Sequence, residues 1–261
     1  MTEPLQISAF IIAQDEAHRI GAAIDSLNGL VDEIIVVDSG STDGTQDLCR
    51  SKGARVIHND WPGYGPQKRF AEDECRNDWL LNLDADEVLS PEVIAGVRRA
   101  LATPPDADGY VLAIKDCLPG EPRPRPFAHT TRAVRLYDKR KGRYVDSIVH
   151  DRVKFSDPNP KTKDLTGLVW HYSVVSLGQF VDKLNKYSTA QAEDMAARGR
   201  VPSLLTLRLL LEFPLSFLKY YILRGDIMRG RRGFIHSMAY AFHRFARIAK
   251  VWEAVHDKSR S

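Results

Sequence analysis

Short apolar runs punctuate the first hundred residues, and each gives way to a polar turn and then an amphipathic stretch. The runs are 7–13 (ISAFIIA), 33–37 (EIIVV), 54–58 (ARVIH) and 79–83 (WLLNL). They are rich in isoleucine, valine and leucine and too short for helices, which predicts buried strands. Between them, 19–29 carries Ile20, Ala23, Ile24 and Leu27 on one helical face with Gly29 near the stop. A second helix begins at Thr45, a third covers 66–76, and Ser90-Pro91-Glu92 opens a fourth, with Ser90 as cap and Pro91 in the first turn. Alternation at this spacing predicts βαβ units and an α/β fold built on a mostly parallel sheet. Such sheets bind ligands at the carboxyl ends of their strands. Two of the predicted strands end in aspartates: Asp38, and the Asp84-Ala85-Asp86 triplet.

Beyond residue 100 the pattern loosens. A strand is expected at 109–114 within an irregular 103–130, where PGEPRPRPFAH makes an extended, proline-rich loop. Strands are expected at 132–137 and 148–155, a polar turn at 158–164, and a helix at about 176–198 bearing Leu177, Phe180, Val181, Leu184 and Tyr187. From 203 the chain is very apolar (SLLTLRLLLEFPLSFLKYYIL), then basic and glycine-broken (RGDIMRGRRGF), then helical over 234–252. Three charges and Pro214 argue against a spanning helix. Two alternatives stand: a segment lying in a membrane interface, or a helix pair packed on protein. The expected organisation is a main domain over 1–199, itself divided at about 100 where the pattern loosens, and a helical extension over 200–261.

Charge sharpens this division. The 261 residues carry a net +3, yet residues 1–100 hold 9 Lys/Arg against 18 Asp/Glu, and residues 200–261 hold 12 against 4. An acidic first part suits metal and ribose chemistry; a basic end suits phosphate-bearing partners. The cysteines Cys49, Cys75 and Cys117 form no CxxC pair, so a reducing compartment is expected. The start lacks a basic stretch before an apolar core, so no secretory signal is expected.

Three constellations can carry chemistry. In DADE (84–87), two carboxylates one residue apart leave a buried strand, placed to meet a divalent cation and its water shell, or only to cap the turn. The positions an EF-hand loop would give to glycine and glutamate are Leu89 and Ala95, which excludes that loop. In VVDSGSTDGT (36–45), small residues let backbone approach a ligand and Asp38 can bind ribose or a base edge; the alternative is a plain loop and helix cap. Neither a P-loop lysine nor GxGxxG is present, against NTPase and dehydrogenase chemistry. In AQDEAHRI (13–20), Asp15 and Glu16 lie on the same sheet edge, lining a pocket or serving a helix N-terminus. The tail's aromatics are mixed with long aliphatics and form no nucleic-acid recognition motif, so nucleic acid is not an expected partner.

In this order, strand–DE–helix, strand–DSGSTDGT–helix, strand–DADE, the sequence resembles family 2 of the inverting glycosyltransferases, of GT-A fold. Within it, RLYDKRKGRYVDSIVHDRV (135–153) and HYSVVSLGQFVDKLNKYS (171–188) resemble the bacterial branch that adds glucose in β-1,4 linkage to the lipopolysaccharide inner core. The first motif departs from the family's usual Asn-Glu by having Asp15-Glu16, which adds a charge near the nucleotide.

The resemblance implies a Rossmann-like GT-A catalytic domain over 1–199, its half to about 100 for the nucleotide sugar and its half over about 101–199 for the acceptor, with a C-terminal helical extension over 200–261. It implies transfer of a sugar, expected to be glucose from UDP-glucose, to a lipid-linked saccharide. The enzyme would be peripheral on the cytoplasmic face of the inner membrane and attracted to its anionic surface. Nucleotide-sugar contacts are implied at Ala13, Asp15, Glu16, Asp38, Ser39, Gly40, Lys68, Asp84 and Ala85. A Mg²⁺ or Mn²⁺ ion is implied at Asp86, with His171 as a further ligand. The general base is placed at Asp151, with Asp146 and Asp116 as other candidates, and acceptor contacts at Arg132, Arg135 and His150. Another acceptor, such as a capsule sugar or polyprenyl-phosphate, and a non-catalytic membrane-surface scaffold are the competing readings.

Overall fold

The computed structural model describes residues 5–118, 120–125, 128, 130–147, 152–174, 176–197 and 205–257. The chain forms two compact units, Met1–Ser173 and Val174–Ser261.

The first unit is an eight-stranded sheet with helices on both faces. Its strands run in the order β3 (Arg55–His58), β2 (Val31–Asp38), β1 (Leu5–Ala13), β4 (Trp79–Asn82), β7 (Thr130–Asp138), β6 (Gly109–Asp116), β10 (Thr162–His171) and β5 (Glu87–Leu89). Four of the seven pairings are parallel: β3–β2, β2–β1, β1–β4 and β6–β10. The antiparallel β7 divides the parallel strands, and β5 closes the other edge. A separate ribbon pairs β8 (Gly142–Tyr144) with β9 (Val153–Phe155).

β1 shows why the apolar runs carry no alternation: it is buried on both faces. Ile7, Ala9, Ile11 and Ala13 join the core that takes in Ile20, Ala23, Ile24 and Leu27 of α1 (Ile20–Leu27), Cys49 of α2 (Thr45–Ser51), and Val93 and Val97 of α4 (Pro91–Leu101). Phe10 faces the other core, with Ile35, Leu80, Tyr137, Tyr144 and Ala71 of α3 (Tyr64–Glu74). Ser90 caps α4 as expected, its side chain accepting from the Val93 N–H at 3.4 Å.

The expected polar turn at 158–164 is only half right, because β10 begins at Thr162. Its first half is exposed and polar, and Gly167 (φ 103°) breaks its register against β6. No local apolar pattern marks such a strand; its partners β6 and β5 define it. β5 and β8, at three residues each, also escape prediction.

Gly65, in the first turn of α3, lies against the backbone of 145–147. Its N–H donates to the Ser147 carbonyl at 3.0 Å, and an added Cβ would stand 2.1 Å from the Val145 carbonyl oxygen. Neither backbone can yield cheaply. Gly65→Ala is therefore expected to destabilise the protein by about 1–3 kcal/mol, measured by urea unfolding; a change within error would show that α3 shifts freely.

The second unit holds α5 (Leu177–Ala197), α6 (Leu205–Leu218), a π-helical turn (Lys219–Leu223), a 3₁₀ turn (Asp226–Arg229) and α7 (Gly230–Asp257). Val174, Phe180 and Leu184 pack with Ala239 and Tyr240, so α5 shares its core with α7. No helix among the described residues is long and apolar enough to cross a membrane.

Candidate active site

The parallel register sets the carboxyl ends of β1 and β2 side by side, Ala13 opposite Asp38. The Ser39 N–H donates to the buried Ala13 carbonyl at 2.9 Å. The chain leaves β1 through Asp15, the single non-glycine residue with positive φ (54°) among those described. That turn lets two loops bond each other. The Asp15 N–H donates to Ser41 Oγ at 2.8 Å, and Asp15 Oδ1 accepts the Thr42 N–H at 2.8 Å. The Glu16 N–H donates to Thr45 Oγ1 at 2.8 Å, while the Glu16 carboxylate pairs with Arg19. Asp38 is wholly buried beneath them. Its Oδ1 accepts from the N–H groups of Gly40 (3.0 Å) and Ser41 (2.9 Å) and from Gln46 Nε2 (2.7 Å); its Oδ2 accepts the Ser41 hydroxyl. Gly40 sits at φ 91°, where a side chain would be strained. Ser39 Oγ accepts from Gln67 of α3 at 2.9 Å. Ala13, Asp15, Glu16, Asp38, Ser39 and Gly40 thus form one pre-shaped loop pair, with Asp38 as its inner brace.

The DADE triplet sends its carboxylates to different partners. Asp84 is gripped by Lys68 Nζ at 2.9 Å and Arg135 Nη2 at 2.8 Å, and 31% of its side chain stays exposed. Lys68 is 1% exposed and lies 5.0 Å from the Tyr144 ring centroid. Arg135, buried, also bonds Glu87 Oε1 at 2.9 Å and the Asn82 side chain, which accepts the Tyr144 hydroxyl at 2.7 Å. Burial works against the Asp84 charge, but Arg135 and Lys68 overcome it and hold the carboxyl well below the usual carboxylate range. Glu87 is 2% exposed; burial, reinforced by Asp84 and opposed by Arg135, pushes it up to about 7.

Across the buried Ala85, Asp86 meets β10. The strand register places His171 beside both Glu87 of β5 and Asp116 of β6. His171 Nε2 lies 3.3 Å from Asp86 Oδ2, and its Nδ1 lies 2.7 Å from Asp116 Oδ1. Burial disfavours the imidazolium, but Asp116 and Asp86 outweigh it and raise its pKa to about 10. Arg19 Nη1 stands 3.4 Å from the same Asp86 oxygen and 3.4 Å from the Tyr172 carbonyl. Asp86 is thus bordered by two cationic groups, and the bond to His171 keeps its carboxyl lowered despite burial.

This donor set fits a divalent cation shared with a ligand. Among the described residues, no group of three or more His, Cys, Asp or Glu side chains is arranged to hold a metal ion by itself. One carboxylate and one imidazole converge; a cation bound at His171 Nε2 would displace the proton that the ring otherwise shares with Asp86, while Asp116 would keep Nδ1 oriented, as in metal-ligating histidines. Mg²⁺-type ions are commonly held by one or two carboxylates, waters and substrate phosphates rather than by an all-protein cage.

Other expected positions fall elsewhere. Arg132 is exposed and paired with Asp164, whereas Arg135 is buried in the Asp84 cluster. Asp146 is exposed, and Asp116 is engaged with His171. His150 and Asp151 lie outside the described residues. Arg19, Asn82 and Glu87 were not singled out by sequence. Glu87 follows the acidic triplet and Arg19 ends the polar patch after β1, but nothing local tells either from a solvated charge.

The protein-family model for glycosyl transferase family 2 matches residues 8–156, which hold all three acidic strand ends. An uncharacterized glycosyltransferase of Rickettsia prowazekii is 39% identical over 94% of this chain and 86% of its own length. The lipopolysaccharide core biosynthesis glycosyltransferase LpsC of Rhizobium meliloti is 32% identical over 100% of this chain and 97% of its own. A solved structure of glucosyl-3-phosphoglycerate synthase from Mycobacterium tuberculosis, in complex with Mn²⁺, UDP and glucosyl-3-phosphoglycerate, aligns with 30% identity over 44% of each chain at a TM-score of 0.35. The expected α/β architecture is present, an eight-stranded sheet flanked by helices, and the expected C-terminal helices follow it in the chain. With the family model covering more than half of its length, the chain belongs to glycosyl transferase family 2.

Proposed function

We propose that this glycosyltransferase moves a hexosyl group, glucose from UDP-glucose, with inversion and with the help of a divalent cation, onto a lipopolysaccharide core or other lipid-linked saccharide. The reaction would take place at the cytoplasmic face of the bacterial inner membrane. The observation that carries this reading is the Asp86–His171 pair braced by Asp116, at the carboxyl end of a sheet whose neighbouring strand ends form the Asp15/Asp38 loops. A full-length relative named for lipopolysaccharide core biosynthesis supports the acceptor class.

The chain's residues divide the work. The Ala13–Glu16 and Ser39–Gly40 loops receive the nucleoside, with Asp38 acting through the loop it braces. Asp84 offers its exposed edge to ribose while Lys68 and Arg135 hold it ionised. Asp86 and His171 would hold the Mg²⁺ or Mn²⁺ ion, which as a Lewis acid offsets the charge that grows on the departing diphosphate. Asp151 takes the proton from the attacking acceptor hydroxyl. Arg132 and His150 bind the acceptor's anionic groups.

The test is calorimetric titration of the protein with UDP-glucose, UDP-galactose, UDP-GlcNAc and GDP-mannose, with Mn²⁺ and with EDTA. Binding of UDP-glucose that depends on Mn²⁺ and exceeds the other donors is expected. Tighter binding of another donor would overturn the glucose assignment. No binding of any donor by folded protein would overturn the transferase reading.

A further inference from the structure

Polarity is inverted on α6, unlike the apolar core that α5 shares with α7. On α6 the buried positions are Glu212 and Ser216, while Leu207, Leu210, Leu211, Leu215 and Leu218 are exposed. These leucines recur at helical spacing, and Ile222 and Leu223 of the following π-helical turn extend the stripe, Leu223 at 81% exposure. The 3₁₀ turn adds Ile227 and Met228, the latter 83% exposed, and α7 adds Phe234, Met238 and Phe242 at i, i+4 and i+8. Beneath this surface lie ionic networks. Asp226 bonds Arg229 (3.0 Å), His236 (2.7 Å) and the Ser237 hydroxyl (3.0 Å), and Glu212 binds Arg244 at 2.7 Å. A water-facing helix pair would place these groups the other way round. So many large apolar side chains exposed over one short stretch of chain mark an interaction surface.

The charges say what covers it. Between residues 205 and 252 the acidic side chains are Glu212 and Asp226, and both are buried. The exposed charges there are Lys219, Arg224, Arg231 and Arg232, which border the stripe and its turn. Among the described residues, the unit's exposed acids, Asp182, Glu193, Asp194 and Glu253, lie on α5 and near the end of α7, outside this face, so a second copy meeting it through the same face would bring like charges together. A layer with an apolar interior and an anionic surface satisfies both features at once.

We infer that the outward face of α6, the two turns and the start of α7 docks into the interfacial layer of an anionic bilayer, leucines among the acyl chains and basic side chains at the headgroups. This deepens the lipid-linked acceptor proposed above and rests on it for its purpose. The docking surface uses none of the sugar-site residues.

The experiment is co-sedimentation of the full chain with vesicles of phosphatidylcholine alone or mixed with phosphatidylglycerol. Binding to the anionic vesicles that falls with added salt is expected. Lys219→Gln/Arg231→Gln is expected to weaken it about tenfold or more. Leu210→Gln/Leu215→Gln/Leu223→Gln, which changes exposed positions and leaves the core intact, is expected to weaken it about a hundredfold. Circular dichroism melts check folding, and Mn²⁺-dependent donor titration of the same preparations checks the sugar site. Equal binding to both vesicle types, or a leucine variant that binds as wild type does, overturns the docking. So does a wild-type dimer in sedimentation equilibrium that the leucine variant dissolves. Loss of donor binding with vesicle binding intact overturns only the transferase reading.

Discussion

Asp86→Asn is expected to lower Mn²⁺-supported kcat/KM by about a hundred- to a thousandfold, the range for removing one group aimed at charge that develops in the transition state. Asparagine keeps the shape and loses the charge, so the loss reads the electrostatic role of a carboxylate bordered by His171 and Arg19. The same site predicts a graded series. Asp116→Asn leaves an acceptor for His171 Nδ1 but removes the charge that orients and polarises the ring, and is expected to cost about ten- to a hundredfold, mainly in apparent Mn²⁺ affinity. His171→Gln falls between the two. Measuring kcat/KM against Mn²⁺ concentration for all three separates a shared cation site from a packing role, which would lower stability and leave the Mn²⁺ dependence unmoved. Full turnover by Asp86→Asn, or by wild type in EDTA, would sink the cation-assisted scheme.

Arg135→Met is expected to be the most destabilising of these substitutions. The guanidinium is the counter-ion of both Asp84, at 2.8 Å, and Glu87, at 2.9 Å, and it also serves the buried Asn82. Removing it strands the buried Glu87 and leaves Asp84 with Lys68 alone, at about 3–5 kcal/mol. In a protein of this size that corresponds to a fall in Tm of roughly 10 °C. Arg135→Met/Glu87→Gln relieves one stranded carboxylate and is expected to recover about 1 kcal/mol or more. Arg132, three residues away on the same strand, is the control: its pair with Asp164 is exposed, and Arg132→Met is expected to stay within about 1 kcal/mol of wild type. Urea unfolding of the three variants decides it. An Arg135→Met loss no larger than that of Arg132→Met would mean that water reaches and solvates Asp84 and Glu87.

The contrast between these two arginines shows where sequence reading stops. Both stand in RAVRLY as basic residues on a predicted strand, and nothing in their spacing separates a solvated cation from the brace of Asp84. The bulge between the β6 and β7 registers and the proximity of Asn82, Glu87 and Tyr144 make that difference. Asp116 is a similar case. As a sequence position it is a candidate general base beside Asp151 and Asp146, and only the β6–β10 register pairs it with His171, 55 positions on.

What the sequence determined by itself is local. Ile7–Ala13, Ile34–Val37 and Leu80–Leu83 are apolar on both faces, so they form central strands wherever they are placed, and the period of Ile20, Ala23, Ile24 and Leu27 makes α1 a helix with one face to bury. Small residues and acids directly after those strands mark the ligand edge, because parallel sheets leave their strand ends open there. The tertiary structure alone decided what depends on residues far apart in the chain. It made a strand of Thr162–His171, polar in its first half, through backbone bonds to β6 and β5. It turned Asp84 toward Lys68 and Arg135 and Asp86 toward His171, and it placed the leucines of α6 outward over a buried Glu212. Helical and strand periods are written in neighbouring residues. Strand register and the pairing of charges are set by packing between distant segments, and no local pattern encodes them.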